Sequence, residues 1–194
     1  ILRGRELGDV AVAGADLQQH AINLIRSLAE ASAAQAGAGA EPPGHIIVAG
    51  YAPIKREVNC LPILASIQDV AQTALPVVVD RTLPLQFRAW APGDALQAGA
   101  FDIPVPLDGA PWVTPDIMLL PLIGFDAAGY RLGMGGGFYD RTLADPVYRQ
   151  AVTTIGLGYK AQQIDGLPHE AHDQPLDWIV TEEGSMSFAK ERTA

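Results

Sequence analysis

Between residues 16 and 34, apolar side chains recur at helical spacing, at Leu17, Ala21, Leu24, Ile25, Leu28 and Ala31, and Asp16 stands where an N-cap belongs. The pattern predicts one amphipathic helix. Residues 36–44, rich in Ala, Gly and Pro, carry no periodicity and read as a loop. Ile46, Ile47, Val48 and Ala49 then form a short continuous apolar run, the pattern of a strand buried on both faces of a parallel sheet. Residues 51–56 are expected as the loop at that strand's carboxyl edge, and 59–74 as a second helix with Pro62 in its first turn. Further strands are expected at 77–79, 85–90, 117–120 and 155–158, and a short helix from Phe138 to about Ala144. Strand, loop and helix alternate, which predicts an α/β layered fold.

Composition narrows the class. A chain of 194 residues suffices for one domain, 1–194, that buries about 70% of its unfolded surface. With 48% apolar and 18% charged residues, disorder of the whole chain is excluded. The longest apolar runs, 117–125 and 76–79, fall far short of the ~20 residues that a membrane helix needs. Thirteen basic against twenty-two acidic residues give a formal charge of −9, which opposes nucleic-acid binding, so an anionic ligand must meet a local cluster. Cys60 is the one cysteine and cannot form an intramolecular disulfide. With no tripartite leader opening the chain, a reducing cytoplasm is expected.

Candidate chemistry concentrates in Arg131-Leu-Gly-Met-Gly-Gly-Gly-Phe-Tyr-Asp140-Arg141, ahead of the predicted short helix. Glycines let the backbone approach a ligand closely, and N–H groups at a helix start can converge on phosphate oxygens, so a phosphate cradle is expected. The block is neither a Walker A loop nor a dinucleotide fingerprint, and the bland alternative is a glycine-rich turn without a ligand. Arg131 and Arg141 bracket the glycines with positive charge, and Asp140 supplies a carboxylate suited to a magnesium ion riding on phosphates. His169 and His172 stand three apart beside Asp173, but no cysteine supports a zinc site there. No Ser, His and Asp arrangement or Cys and His pair is evident, so no acid–base residue is assigned. Cys60 reads as a buried small apolar side chain.

This block, with the preceding Pro121-Leu-Ile-Gly-Phe-Asp-Ala-Ala-Gly129, resembles the signature of the 5-formyltetrahydrofolate cyclo-ligase (methenyltetrahydrofolate synthetase) family. Gly158-Tyr-Lys-Ala-Gln162 and His172-Asp-Gln-Pro-Leu-Asp-Trp-Ile-Val-Thr181 resemble the family's closing motifs. Residues 51–64, with Glu57-Val-Asn-Cys60, resemble its first substrate-contact segment, and 85–90 and 101–106 its middle segment. The resemblance covers about residues 46–184.

It implies a three-layer domain around a mostly parallel sheet, akin to sugar-phosphate isomerases and CoA-transferases, with the active site at the carboxyl edge of the strands. It also implies an ATP- and Mg²⁺-dependent ring closure of 5-formyltetrahydrofolate to 5,10-methenyltetrahydrofolate, with release of ADP and phosphate. Carried over by position, the resemblance puts ATP on Arg3, Arg131, Leu132, Gly133, Met134, Gly135, Gly136, Gly137, Phe138 and Tyr139. It puts the folate on Glu57, Met134, Gly135, Gly136, Gly137 and Phe138, and Mg²⁺ on Asp140 and Asp173. Glu57 has its own chemical warrant, because a carboxylate accepts two hydrogen bonds from the pterin's amino group and adjacent N–H. The chain begins two residues before Arg3, short of the lysine that the family carries a few residues upstream, and that contact is not carried over. Trp90, Trp112 and Trp178 are read as packing residues, with pterin stacking as the alternative. Two rival readings remain: a non-catalytic folate or nucleotide binder, and an unrelated phosphotransferase on the same scaffold.

Overall fold

The apolar run at 46–49 is β1 (Ile46–Ala49), a central strand of an eight-stranded sheet. The computed structural model describes residues 7–35, 46–54, 56–149, 151–170 and 173–188. In chain order, α1 (Leu7–Gln35) precedes β1, and α2 (Leu61–Ser66), β2 (Ala71–Val77) and β3 (Gln86–Ala89) follow it. A small hairpin, β4 (Leu96–Ala98) and β5 (Pro104–Pro106), leads to β6 (Trp112–Val113) and β7 (Ile117–Pro121). A second hairpin, β8 (Gly124–Phe125) and β9 (Arg131–Leu132), runs into α3 (Phe138–Ala144), and β10 (Thr153–Leu157), β11 (Trp178–Thr181) and β12 (Gly184–Ser187) close the order.

Five parallel strands lie in the order β2-β1-β7-β10-β11, with β3 antiparallel beyond β2, β6 antiparallel to β3, and β12 antiparallel beyond β11. The expected α/β fold with a mostly parallel sheet is therefore present. From β1 the chain builds outward to β2 on one side and to β7, β10 and β11 on the other. That reversal opens a crevice at the carboxyl ends of β1 and β7, where ligands bind in such sheets.

Alternation along the strands divides the core between two faces. Val48, Ile117, Leu119, Ile155, Leu157 and Val180 pack with Leu17, Ala21 and Ile25 of α1 and Ile63 and Leu64 of α2. Ala49, Met118, Leu120 and Ile179 pack on the other face with Leu143 of α3, Phe125 and Tyr148. Helical material thus covers both faces, in three layers.

Three sequence expectations need correction. The first helix begins at Leu7, nine residues before the expected cap at Asp16. Ala11, Ala13 and Ala15 favour helix strongly, and Ala13 is buried, so the helix runs on upstream. The second helix stops at Ser66 instead of reaching residue 74. Ala71 to Ala74 are strand, in parallel register with Ile46 to Ala49, because pairing at the sheet's centre overrides the weak strand propensity of Ala-Gln-Thr-Ala. The strand expected at 77–79 is not found there: β2 ends at Val77, and Val78 and Val79 lie beyond it. The loop expected at 36–44 lies outside the described residues.

The His20 ring nitrogen contacts the carbonyl of Thr181, at the carboxyl end of β11, at 3.1 Å. Farther along α1, Arg26 pairs with Asp69, just before β2, at 2.7 Å. The helix therefore runs antiparallel to the parallel strands, and its first turns lie at their carboxyl edge. No helix among the described residues is long and apolar enough to cross a membrane.

Candidate active site at the carboxyl edge of the sheet

The connection after β7 builds the glycine loop. Asp126 is buried, and its Oδ1 accepts the N–H groups of Ala128 and Tyr130 while its Oδ2 accepts that of Leu167. This turn sets the β8–β9 pairing of Gly124 with Leu132 and Phe125 with Arg131, which fixes where the glycines start. Gly135 (φ +83°) and Gly137 (φ +65°) take left-handed backbone that other residues rarely adopt. The turn at Gly137 starts α3 at Phe138, as expected from the sequence, and Pro146 lies just beyond its end. Thr142 holds this short helix to the body by accepting the N–H of Leu85 and donating to the carbonyl of Phe138.

Gly133, Met134, Gly135 and Gly136 are exposed, Met134 at 49%. A Cβ added at Gly133 or Gly135 would meet no atom within 4 Å. Among the described residues, no N–H of Gly133 to Gly137 finds a protein acceptor. The loop thus offers several donors and open space, which is what phosphate oxygens require.

Arg131 does not reach out over the glycines. Its side chain is only 5% exposed, and its guanidinium donates to Asp140 Oδ1 at 2.7 Å and to the carbonyl of Gln174 at 2.7 Å. Asp173 adjoins that carbonyl, and its own Oδ2 accepts the Glu170 N–H at 2.8 Å. The two aspartates expected to share a metal thus come from segments tied together through one buried arginine. Their carboxylates are hard oxygen ligands, and Mg²⁺ is held by one or two carboxylates together with phosphates and water. Among the described residues no group of three or more metal-ligating side chains exists. His169 stacks on Tyr130 at 3.7 Å, and its expected neighbour His172 lies outside the described residues, as does Arg3.

On the β1 side, the described residues of 50–60 follow the carboxyl end of β1. Glu57 closes a tight turn, donating its N–H to the Ile54 carbonyl and accepting the Ile54 N–H on Oε2 at 2.9 Å. Tyr51 is buried, its hydroxyl donates to the Val58 carbonyl at 2.7 Å, and Cys60 Sγ bonds both the N–H and the carbonyl of Tyr51. Burial raises the Tyr139 hydroxyl well above its ordinary pKa, with Cys60 and Glu57 adding to the rise and Arg131 opposing it. Tyr139 of the glycine block is therefore close enough to Cys60, Glu57 and Arg131 to feel their charges. Burial also raises Tyr51, and it pushes the Cys60 thiol up to about 12. These groups stay protonated at neutral pH, so they supply no thiolate or phenolate base. A disulfide reagent at pH 8 is accordingly expected to label Cys60 at least about a thousandfold more slowly in the native protein than in urea, because the thiolate fraction scales with pKa. Rapid native labelling would show that Cys60 is neither buried nor protonated.

Gly158 to Gln162 follow β10. Gln162 Oε1 accepts the Tyr159 N–H at 2.7 Å while its Nε2 donates to the carbonyls of Leu122 and Ile123. Sequence reasoning did not single out Phe101 or Arg81. Phe101 is 51% exposed, has φ +59°, and stands edge-on to Phe138 with ring centres 5.9 Å apart. An isolated aromatic in a short connection carries no periodic signal; only its contacts mark it. Trp90 is buried, its indole N–H on the Asp94 carbonyl, as expected of a packing residue, whereas Trp112 is 49% exposed under the Arg88 guanidinium.

Set against known proteins, residues 16–182 match the sequence profile of the 5-formyltetrahydrofolate cyclo-ligase family. A 5-formyltetrahydrofolate cyclo-ligase of Haemophilus influenzae is 41% identical over 96 residues, 47% of this chain and 51% of that protein. Its counterpart in Mycolicibacterium smegmatis is 31% identical over 145 residues, 69% of this chain and 72% of that protein. The match thus spans about half the length of the Haemophilus relative. Among solved structures, the 5,10-methenyltetrahydrofolate synthetase of Aquifex aeolicus superposes with a TM-score of 0.63 at 28% identity, covering 93% of this chain and 95% of that one. The enzyme of that name from Mycoplasma pneumoniae gives 0.64 at 22% identity, a likeness of fold.

Proposed function

The chain belongs to the 5-formyltetrahydrofolate cyclo-ligase family, and on that footing we propose that it converts 5-formyltetrahydrofolate to 5,10-methenyltetrahydrofolate with ATP and Mg²⁺. One observation supports the reading: the glycine loop is exposed, its N–H groups find no acceptor among the described residues, and Tyr139 at its end is close enough to Glu57 to feel its charge.

The chemistry explains why these residues suffice. A formamide oxygen is a poor leaving group. If it attacks the γ-phosphorus of ATP, ADP departs and the oxygen becomes a phosphate ester. The neighbouring ring-closing nitrogen then attacks the formyl carbon, loses its proton, and phosphate leaves with that oxygen. The first nucleophile carries no proton, so the site needs positioning and charge neutralisation more than a strong base. Protonated Tyr51, Cys60 and Tyr139 are consistent with that need.

In this reading the N–H groups of Gly133 to Gly137 hold the phosphates, with Arg131, Leu132 and Tyr139 framing them. Glu57 takes the pterin edge, while Met134, Phe138 and Phe101 flank the folate ring. Asp140 and Asp173 would hold Mg²⁺, which neutralises charge on the transferring phosphoryl group. Arg3 lies outside the described residues, and its part in the nucleotide site is proposed from the family alone. The reaction is placed in the cytoplasm.

Growth of methenyltetrahydrofolate absorbance after mixing protein, ATP, Mg²⁺ and 5-formyltetrahydrofolate tests the proposal. ADP release without that product would favour a different phosphotransferase, and binding without either would favour a non-catalytic binder. Glu57→Gln is expected to raise KM for the folate about tenfold or more while leaving the ATP Kd within about twofold. One amide oxygen can keep the Ile54 N–H, but the pterin then faces an NH₂ donor instead of a second acceptor. Equal loss of both ligands would count against this role.

A further inference from the structure

We propose that Arg141 is a positioning residue that clamps the glycine loop to the β2–β3 connection and holds Phe138 edge-on to Phe101. The functional consequence drawn from it rests on the proposed ring-closing activity. The clamp itself does not.

Arg141 lies in α3, four residues beyond Gly137, so its side chain folds back over the loop that starts the helix. Its Nη2 donates to the Gly136 carbonyl at 3.1 Å and to the Arg81 carbonyl at 2.9 Å, joining two segments that are far apart in the chain. Its guanidinium carbon lies 4.9 Å from the centre of the Phe138 ring. Phe138 meets the Phe101 ring edge-on, and the Arg81 guanidinium covers that ring at 4.6 Å. The Arg81 segment is fixed in turn by Asp80, whose Oδ1 accepts both the N–H and the hydroxyl of Thr82.

Two details mark this arginine as more than a solvated charge. Its Nε is shut off from water with no acceptor among the described residues, a cost that a side chain bears only where its other contacts fix it. The position a Cβ would take on Gly137 lies 2.7 Å from its Nη1, so a side chain at Gly137 would strike the clamp. Phe101 and Asp102 meanwhile sit side by side at φ +59° and +58°, backbone that needs outside support. The edge-on rings and the two guanidiniums provide that support at the edge of the glycine loop. A planar guanidinium whose Nη2 bonds two carbonyls while its face lies over a ring is not matched by an ammonium group, which has no face to lay on the ring.

Arg141→Lys is the test, because it keeps the charge and a good helix former while removing the fork and the stack. Amide ¹⁵N order parameters for Gly135 to Phe138 are expected to fall from about 0.85 to below about 0.6. The melting temperature should stay within about 3 °C of wild type. With turnover, KM should rise about tenfold for both ATP and the folate, and kcat should change less than about threefold. Unchanged order parameters and KM values would overturn the clamp and leave Arg141 as a charge alone. A lowered melting temperature with unchanged KM would reduce it to a fold contact and likewise overturn the proposal. Should Arg141→Lys fail to fold, Arg141→Gln, which keeps one donor without the stack, is read by the same criteria. If wild-type protein makes no methenyl product, the function reading fails, while the order parameters still decide the clamp.

Discussion

Gly133→Val is expected to raise the Kd for ATP about fivefold to a hundredfold while leaving the melting temperature within about 2 °C of wild type. Gly133 lies outside the left-handed backbone region, and a Cβ there meets no protein atom within 4 Å. Valine therefore brings neither strain nor a clash, and losing a glycine even restricts the unfolded chain slightly in the protein's favour. The only occupant such a side chain can displace is a ligand. Overfilling a packed space costs about 1–3 kcal/mol, and each 1.4 kcal/mol is tenfold in affinity, so the loss falls between about fivefold and a hundredfold. Its neighbours are poorer probes. A Cβ at Gly136 would sit 2.9 Å from the Phe138 ring, and Gly135 and Gly137 would be strained by their positive φ. Damage at those three positions would mix ligand loss with distortion of the loop. Calorimetric titration of folded Gly133→Val with ATP decides the matter, and an unchanged Kd removes the phosphate cradle.

Asp140→Asn is expected to destabilise the fold by about 2 kcal/mol and to raise the Mg²⁺ concentration needed for turnover. Asp173→Asn is also expected to raise the Mg²⁺ requirement, without stranding the buried Arg131. The difference comes from Arg131, which is 5% exposed and pairs with Asp140. Removing one member of a buried ion pair costs about 3–5 kcal/mol because the other charge is stranded, and the 30% exposure of Asp140 reduces that figure. For a chain of 194 residues, about 2 kcal/mol lowers the melting temperature by roughly 4–8 °C. An amide oxygen is also a weaker ligand for a hard cation than a carboxylate, which moves the Mg²⁺ midpoint. The two effects separate in a double variant. Arg131→Met with Asp140→Asn removes the stranded charge and should recover most of the stability without restoring the Mg²⁺ midpoint. A normal midpoint in either single variant withdraws that aspartate from the metal site, and for Asp140 it leaves holding Arg131 as its role.

Local pattern alone located β1, β3, β7, β10 and α3, because each is marked within its own few residues. Continuous apolar runs mark the buried strands, and glycines before Phe138 with Pro146 after it bound the helix. The same locality made the glycine block legible, since closely spaced glycines between arginines have few other uses. Most of β2 was hidden, because Ala-Gln-Thr-Ala becomes strand only through its register with β1. The hairpin strands of two to four residues are too short to show a period.

What tertiary structure alone decided is the company each site residue keeps. The strand order places the loop after β1 against the loop after β7, so Glu57 and Tyr139 come to act on each other. The β8–β9 hairpin and α3 turn Arg131 inward onto Asp140, where the sequence suggested a phosphate-facing charge beside a free carboxylate. Phe101 joins Phe138, and Arg141 reaches the Arg81 carbonyl, sixty residues away in the chain. None of these pairings has a local signature. They follow from burying both faces of one sheet, which fixes where the loops at its carboxyl edge must meet.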